Sequence, residues 1–268
     1  MSGLALPYVQ APAWPVELPL LGSHTISVFG PLVAIGVVVG YRLSLRLADR
    51  RGLPIEHADR LAVWVAIGGF AMAHWFSVLL YFPEQVRDDP WILIHFTRGI
   101  SSMGGFLGGT LTFLWLTKRW RLRRAAYADV LAYGLLAGFG IGRIGCALVH
   151  DHPGAPSSAW AAVGPWPDGT TRWDLGLVEL ALLVPLAAFV YRRDWARARP
   201  GLLTVFVAAA YALLRFPLDF LRAEDARYGW LTPAQYACLA VAVVATLAWY
   251  AVRTGAVDPS TSSRSAPG

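Results

Sequence analysis

The stretch Tyr127–Val149 reads YADVLAYGLLAGFGIGRIGCALV, and its character decides the fold class. It is an apolar run of the roughly 20 residues that an α-helix needs to cross a hydrocarbon core. Arg143 lies near its end. A charged side chain at membrane depth costs roughly 2.5–3.5 kcal/mol on insertion scales, so Arg143 is expected to face a protein-lined or wet cavity. Gly134, Gly138 and Gly142 recur every four residues along one stripe. Such spacing predicts close packing against a second helix, which would hold Arg143 in a fixed position.

Six further runs resemble this one: Ile26–Leu47, Leu61–Phe82, Gly104–Leu116, Leu175–Tyr191, Gly201–Leu221 and Pro233–Val252. The expected architecture is an all-α polytopic membrane protein of about seven transmembrane helices. Residues 1–252 would form a single membrane domain, and residues 253–268, rich in Ser and Pro, a disordered cytoplasmic tail. The third run is short and follows the glycine-rich stretch Gly99–Gly109, which reads as a re-entrant or broken segment. Hydrophobic residues make up 56% of the 268, charged residues only 15%, and mean hydropathy is +0.48. A soluble domain carries about 25% charged residues. The net charge of +6 does not indicate nucleic acid, because the basic residues sit in short clusters between apolar runs. No cleavable signal peptide is evident: residues 1–24 lack a basic start and contain several prolines. Arg42, Arg46, Arg50, Arg51 and Arg60 flank the first connection. Lys118, Arg119, Arg121, Arg123 and Arg124 fill the third, and Arg192, Arg193, Arg197 and Arg199 the fifth. The alternation predicts an N-terminus outside and a C-terminus inside.

Arg215 lies within the run Gly201–Leu221. Tyr211, Arg215, Asp219 and Arg222 are spaced 4, 4 and 3, which stacks them on one helix face. In the predicted topology Arg143 and Arg215 both approach the outer interface, as do Gly99–Gly109 and His150-Asp151-His152. Asp219 can neutralise only one partner, and arginine forks with charge to spare suit a phosphate, pointing to a phospholipid headgroup. Backbone N–H groups at Gly104-Gly105 and Gly108-Gly109 would suit an anion nest. A metal is not expected, because there is no HExxH or CxxC and His150 and His152 are only two residues apart. Cys146 and Cys238 read as small buried residues, and His74 and His95 as hydrogen-bonded structural histidines.

Three blocks carry a resemblance to a known family. Gly99-Ile100-Ser101-Ser102-Met103-Gly104-Gly105-Phe106-Leu107-Gly108 resembles the G-x-S-x-H-G-G-x-x-G stretch of bacterial prolipoprotein diacylglyceryl transferases. Gly142-Arg143-Ile144-Gly145-Cys146, followed by Asp151 and Gly154, resembles their G-R-x-G-N-x-x-x-x-E-x-x-G signature. Tyr211 to Arg222 resembles their Y-x-x-x-R-x-x-x-E-x-x-R block, with Asp219 as the acid. Glu179 ends a short motif where the family also has glutamate.

The resemblance implies transfer of a diacylglyceryl group from phosphatidylglycerol to the lipobox cysteine thiol of a prolipoprotein, at the outer face of the bacterial inner membrane and without a cofactor. It makes Arg143 and Arg215 the phosphate grip, and Ser101, Gly104, Gly105, Tyr211, Glu179, Asp219 and Arg222 the substrate-binding set. The family's histidine falls on Met103, which cannot take a proton; its asparagine falls on Cys146, and its first-span tyrosine on Phe29. The base is therefore expected at His150, Asp151 or His152. The alternatives are a non-catalytic phospholipid-binding protein on the same scaffold and a small-molecule transporter.

Overall fold

The computed structural model describes residues 5–18, 22–80, 82–94, 100–223 and 227–254. His95, Gly99 and the expected tail beyond Thr254 lie outside these residues. The chain is helical, as expected: α1 Phe29–Arg50, α2 Ile55–Leu80, a short α3 Pro83–Asp88, α4 Ser102–Arg119, α5 Arg124–Val149, α6 Leu175–Arg192, α7 Leu202–Leu218 and α8 Pro233–Thr254. Six are long and apolar enough to cross a membrane: α1, α2, α5, α6, α7 with its following turn to Leu221, and α8. The remaining expected span, Gly104–Leu116, corresponds to α4, whose 18 residues rise about 27 Å. Its four glycines and terminal Lys118-Arg119 dilute its hydropathy.

Two expectations need correction. From Ser102 onward the glycine-rich stretch is continuous helix, not a re-entrant segment. Ser101 starts it as N-cap, its Oγ accepting from Gly104 N at 3.5 Å, and its own N–H bonds Ala73 O of α2 at 2.9 Å. The first span begins at Phe29, because Ile26 belongs to a strand.

Two antiparallel helix pairs are held by glycine. In α1 and α5 the expected stripe is realised: a Cβ at Gly36 would stand 2.5 Å from Gly138 O, and one at Gly40 would stand 2.8 Å from Gly134 O. Gly142 is outside this contact, with only Val33 Cγ2 at 3.9 Å. In α2 and α4, a Cβ at Gly104 would meet Met72 O at 2.6 Å, and one at Gly108 would meet Gly68 O at 2.5 Å. Small residues let backbones approach where no hydrophobic drive separates helix from lipid. Gly36→Ala is expected to destabilise the detergent-solubilised protein by about 1–3 kcal/mol, the usual range for overpacking. Thermal melting would read this as a lowered midpoint.

Large apolar side chains point outward along the helices, among them Trp64, Ile67, Leu80, Leu213, Val244 and Leu247. A bilayer solvates them, whereas water would not.

The arginine-bearing connections meet at one end of the bundle. Asp129, fully buried at the start of α5, accepts from Arg51 Nη1 (2.8 Å), Gly201 N (2.9 Å), Thr204 N (2.8 Å) and Thr204 Oγ1 (2.8 Å). Arg51 Nη2 also reaches Trp195 O at 2.8 Å. The connections around residues 51, 123 and 200 are thereby tied to one carboxylate.

The other end carries a small β-cap that the apolar pattern did not announce. Strands β1 Leu6–Pro7, β4 Pro153–Pro156, β5 Val163–Gly164 and β6 Arg172–Asp174 form a sheet in the order β1-β5-β6-β4. Strands β2 Ala13–Leu18 and β3 Gly22–Ser27 make a separate antiparallel hairpin. A bridge between Gly154 and Arg222 joins the cap to the end of α7.

Candidate active site: an arginine–carboxylate cluster under the cap

Arg143 lies in the last two turns of α5, Glu179 in the second turn of α6 and Arg215 in the last turn of α7. All three are buried, at 5%, 3% and 9% exposure. Antiparallel helices bring these turns to one level beneath the β-cap. Arg143 Nη2 lies 3.3 Å from Glu179 Oε2, and Arg215 Nη1 lies 3.0 Å from the same oxygen. The two intramembrane arginines thus converge, as their apolar context requires. Tyr211 donates to Glu179 Oε1 at 2.6 Å, filling the second carboxylate oxygen.

Arg215 Nη2 pairs with Asp219 Oδ1 at 2.7 Å, one helical turn on, and Arg222 Nε approaches the same oxygen at 3.3 Å. Tyr211 and Arg215 share a face of α7 as expected, whereas the helix ends at Leu218, so Asp219 and Arg222 join them from the turn that follows. Pro217, which has no N–H to donate, precedes a 3₁₀ turn over Asp219–Leu221. Asp219 also accepts from Thr232 Oγ1. Thr232 and Gln235 form a reciprocal capping box at α8: Gln235 N donates to Thr232 Oγ1 at 3.2 Å and Thr232 N to Gln235 Oε1 at 3.0 Å. Gln235 Nε2 reaches Phe216 O of α7 at 3.2 Å. The start of α8 therefore locks Asp219, and through it Arg215. Sequence reasoning missed Thr232 and Gln235, although T-P-A-Q before an apolar run is a legible capping signal.

Arg143 is less completely paired. Its Nη1 points at Cys146 Sγ, 3.6 Å away, and its guanidinium lies over the Phe139 ring at 4.9 Å. Its Nε has no hydrogen-bond partner among the described residues. Phe106, Phe139 and Tyr211 pack as an aromatic wall, with centroids 5.5–6.3 Å apart. Two guanidinium groups sharing one carboxylate oxygen inside an apolar wall form a site of positive potential with low dielectric surroundings.

Gly104 and Gly105 do not form the expected anion nest. Their N–H groups are taken by Ser101 Oγ and Ser101 O, and the missing side chains make room for α2. Phe106, next along the helix, reaches the cluster instead.

The three candidates for the base divide. His150 sits at the C-terminus of α5 with a left-handed backbone (φ 52°). Its Nδ1 meets the buried Asp174 carboxylate, and its Nε2 meets Val9 O at 3.2 Å. Tyr8 stacks on its ring at 4.3 Å, and Trp166 packs edge-on at 5.6 Å. Asp174 also caps α6 through Leu177 N at 3.1 Å. Both His150 nitrogens are therefore occupied in a clasp joining the N-terminal arm, α5 and α6. Nearby, the Thr170 hydroxyl and N–H, with Arg172, hold the Asp168 carboxyl below the usual carboxylate range. His152 and Asp151 pair with each other and are partly exposed, at 25% and 39% of their side chains. Their donor atoms and Cys146 Sγ all lie within 4.8 Å of one another, beside Arg143. His74, fully buried, bonds Ile92 O at 2.8 Å, as a structural histidine should.

The profile of the prolipoprotein diacylglyceryl transferase family matches residues 15–251. The chain belongs to this family. Similar proteins named phosphatidylglycerol–prolipoprotein diacylglyceryl transferase occur in Gloeobacter violaceus (28% identity, covering 88% of this chain and 92% of that one), Nostoc sp. (31%, 87% and 88%) and Chromohalobacter salexigens (29%, 85% and 90%). Family and helices together make it a multi-pass membrane protein of the transferase class.

Proposed function

We propose that this transferase moves a diacylglyceryl group from phosphatidylglycerol to the lipobox cysteine of a prolipoprotein, at the outer face of the inner membrane. The observation that carries the reading is the convergence of Arg143 and Arg215 on one oxygen of Glu179 within an aromatic wall. The acceptor sulfur attacks the glyceryl carbon bonded to the phosphate oxygen. A C–S bond forms, the C–O bond breaks, and the electron pair leaves on glycerol phosphate. The phosphate gains negative charge as the bond breaks, and Arg143 and Arg215 are positioned to stabilise it. Glu179 orients both guanidinium groups and Tyr211 holds Glu179. Asp219 and Arg222 fix Arg215 from the other side, and Ser101 starts the helix that bears Phe106.

A free thiol has a pKa of about 8.5, so a base is needed near neutrality. His152, paired with Asp151 and partly open to solvent, takes that role; His150 serves the cap. His152→Ala is expected to lower turnover at pH 7 by roughly 10²–10⁴-fold, the usual contribution of a positioned base. Below the thiol pKa each added pH unit yields about tenfold more thiolate, so the variant's rate rises steeply toward pH 8.5 while the wild type changes little. A pH–rate profile with purified protein, phosphatidylglycerol and a lipobox peptide reads both effects. Equal pH dependence in the two proteins would remove His152 from the mechanism, and no thioether with the wild type would remove the reaction itself.

Orientation follows from charge. The arginine-rich connections lie at the end opposite the cluster, and a cytoplasmic location for them puts the β-cap and the N-terminal arm outside. Residues 5–254 would then act as one membrane domain.

A further inference from the structure

We propose that Cys146, Asp151 and His152 form a binding site for a single thiophilic divalent cation of the zinc class. One thiol sulfur, one imidazole nitrogen and one carboxylate oxygen lie within 4.8 Å of one another. Zinc bonds of about 2.0–2.3 Å in a tetrahedron put donor atoms roughly 3.3–3.8 Å apart. Rotation of the partly exposed Asp151 and His152 side chains closes the difference, while Cys146, only 6% exposed, serves as the fixed anchor. Hard cations such as Mg²⁺ and Ca²⁺ prefer all-oxygen shells, so a sulfur and an imidazole select a softer ion.

Arg143 Nη1 lies 3.6 Å from Cys146 Sγ, and its charge is countered by Glu179 Oε2 at 3.3 Å. Leu175 N holds His152 O at 3.0 Å, tying the ligand loop to the start of α6. Exposure of Asp151 and His152 gives the ion an entry path. On loading, the Cys146 S–H bond breaks, a sulfur–metal bond forms and the proton goes to solvent. Three protein donors leave a coordination position for water. Because His152 is also the base in the reaction above, an occupied site would silence transfer; that consequence rests on the proposed mechanism, whereas the binding does not.

The test is a Co²⁺ titration of the metal-free, full-length protein in detergent, followed by absorption. The expected result is a thiolate-to-cobalt charge-transfer band saturating at one equivalent and displaced by Zn²⁺. Cys146→Ser abolishes the band and Cys238→Ala keeps it. His152→Ala weakens binding by more than the roughly 10-fold that loss of even an outer-shell partner costs. No band in the wild type, a band that survives Cys146→Ser, or an affinity indifferent to His152→Ala overturns the site. A transfer assay with added Zn²⁺ separates the two claims. Full activity with the band present leaves the metal site standing and removes His152 as base.

Discussion

Arg143→Ala and Arg215→Ala are each expected to reduce thioether formation by at least about 10²–10³-fold, the loss seen when one preorganised donor to a developing anion is removed. Both guanidinium groups are nine-tenths or more buried and touch the same Glu179 oxygen, so neither can be replaced by water without rearranging the other. Lysine at either position is expected to recover little. A compact ammonium cannot span Glu179 and Cys146, as Arg143 does, or Glu179 and Asp219, as Arg215 does. Melting temperature, measured alongside turnover, separates lost chemistry from lost folding. Turnover within a few-fold of wild type in both variants would refute the assigned role.

The second large effect is on stability and lies at the opposite end of the bundle. Asp129→Ala removes an acceptor that serves Arg51, two backbone N–H groups and the Thr204 hydroxyl at once. It leaves the Arg51 guanidinium, whose side chain is 5% exposed, without its counter-charge. Breaking a buried pair by deleting one partner costs about 3–5 kcal/mol. The expected result is a protein that melts far below the wild type in detergent or fails to accumulate in the membrane. Asp129→Asn is expected to lose less, because its carbonyl oxygen can still accept from Gly201 N or Thr204 N. Equal stability of Asp129→Ala and wild type would show that the three connections are held by packing alone.

Part of this site is legible in the sequence because charge inside an apolar run has few places to go. Arg143 and Arg215 announce a shared interior for that reason, and the spacing 211, 215, 219, 222 announces a common face. Glu179, the centre of the cluster, was reached only by family likeness: one acid near the start of an apolar helix does not say which cations it meets. The glycines at 104 and 105 read as an anion nest because a backbone without side chains suits a phosphate and a second helix equally. Gly68-Gly69 in α2 was the available sign that a helix comes close.

The cap was not legible. Its strands are two to four residues long and pair β1 with β5, more than 150 residues on, so no local period betrays them. His150 read as a base for the same reason. Its partners Asp174 and Val9 are distant in sequence, and only their arrival shows that both ring nitrogens are occupied.

Keeping two guanidinium groups and two carboxylates buried near a membrane, with the half-buried Arg222 beside them, is a poor way to gain stability, since desolvation of ion pairs offsets most of their attraction. Their retention is explained if the cluster is built for an anion that binds between α5 and α7. The most direct measurement is phosphatidylglycerol binding to the purified protein without acceptor peptide, compared with Arg143→Gln, Arg215→Gln and with a neutral diacylglycerol. Loss of one charge-assisted hydrogen bond, about 1.5–3 kcal/mol, predicts affinity for phosphatidylglycerol roughly 10–100-fold weaker in each variant, with diacylglycerol binding unchanged. Undiminished phosphatidylglycerol affinity in both variants would contradict the claim that these two arginines hold the lipid phosphate.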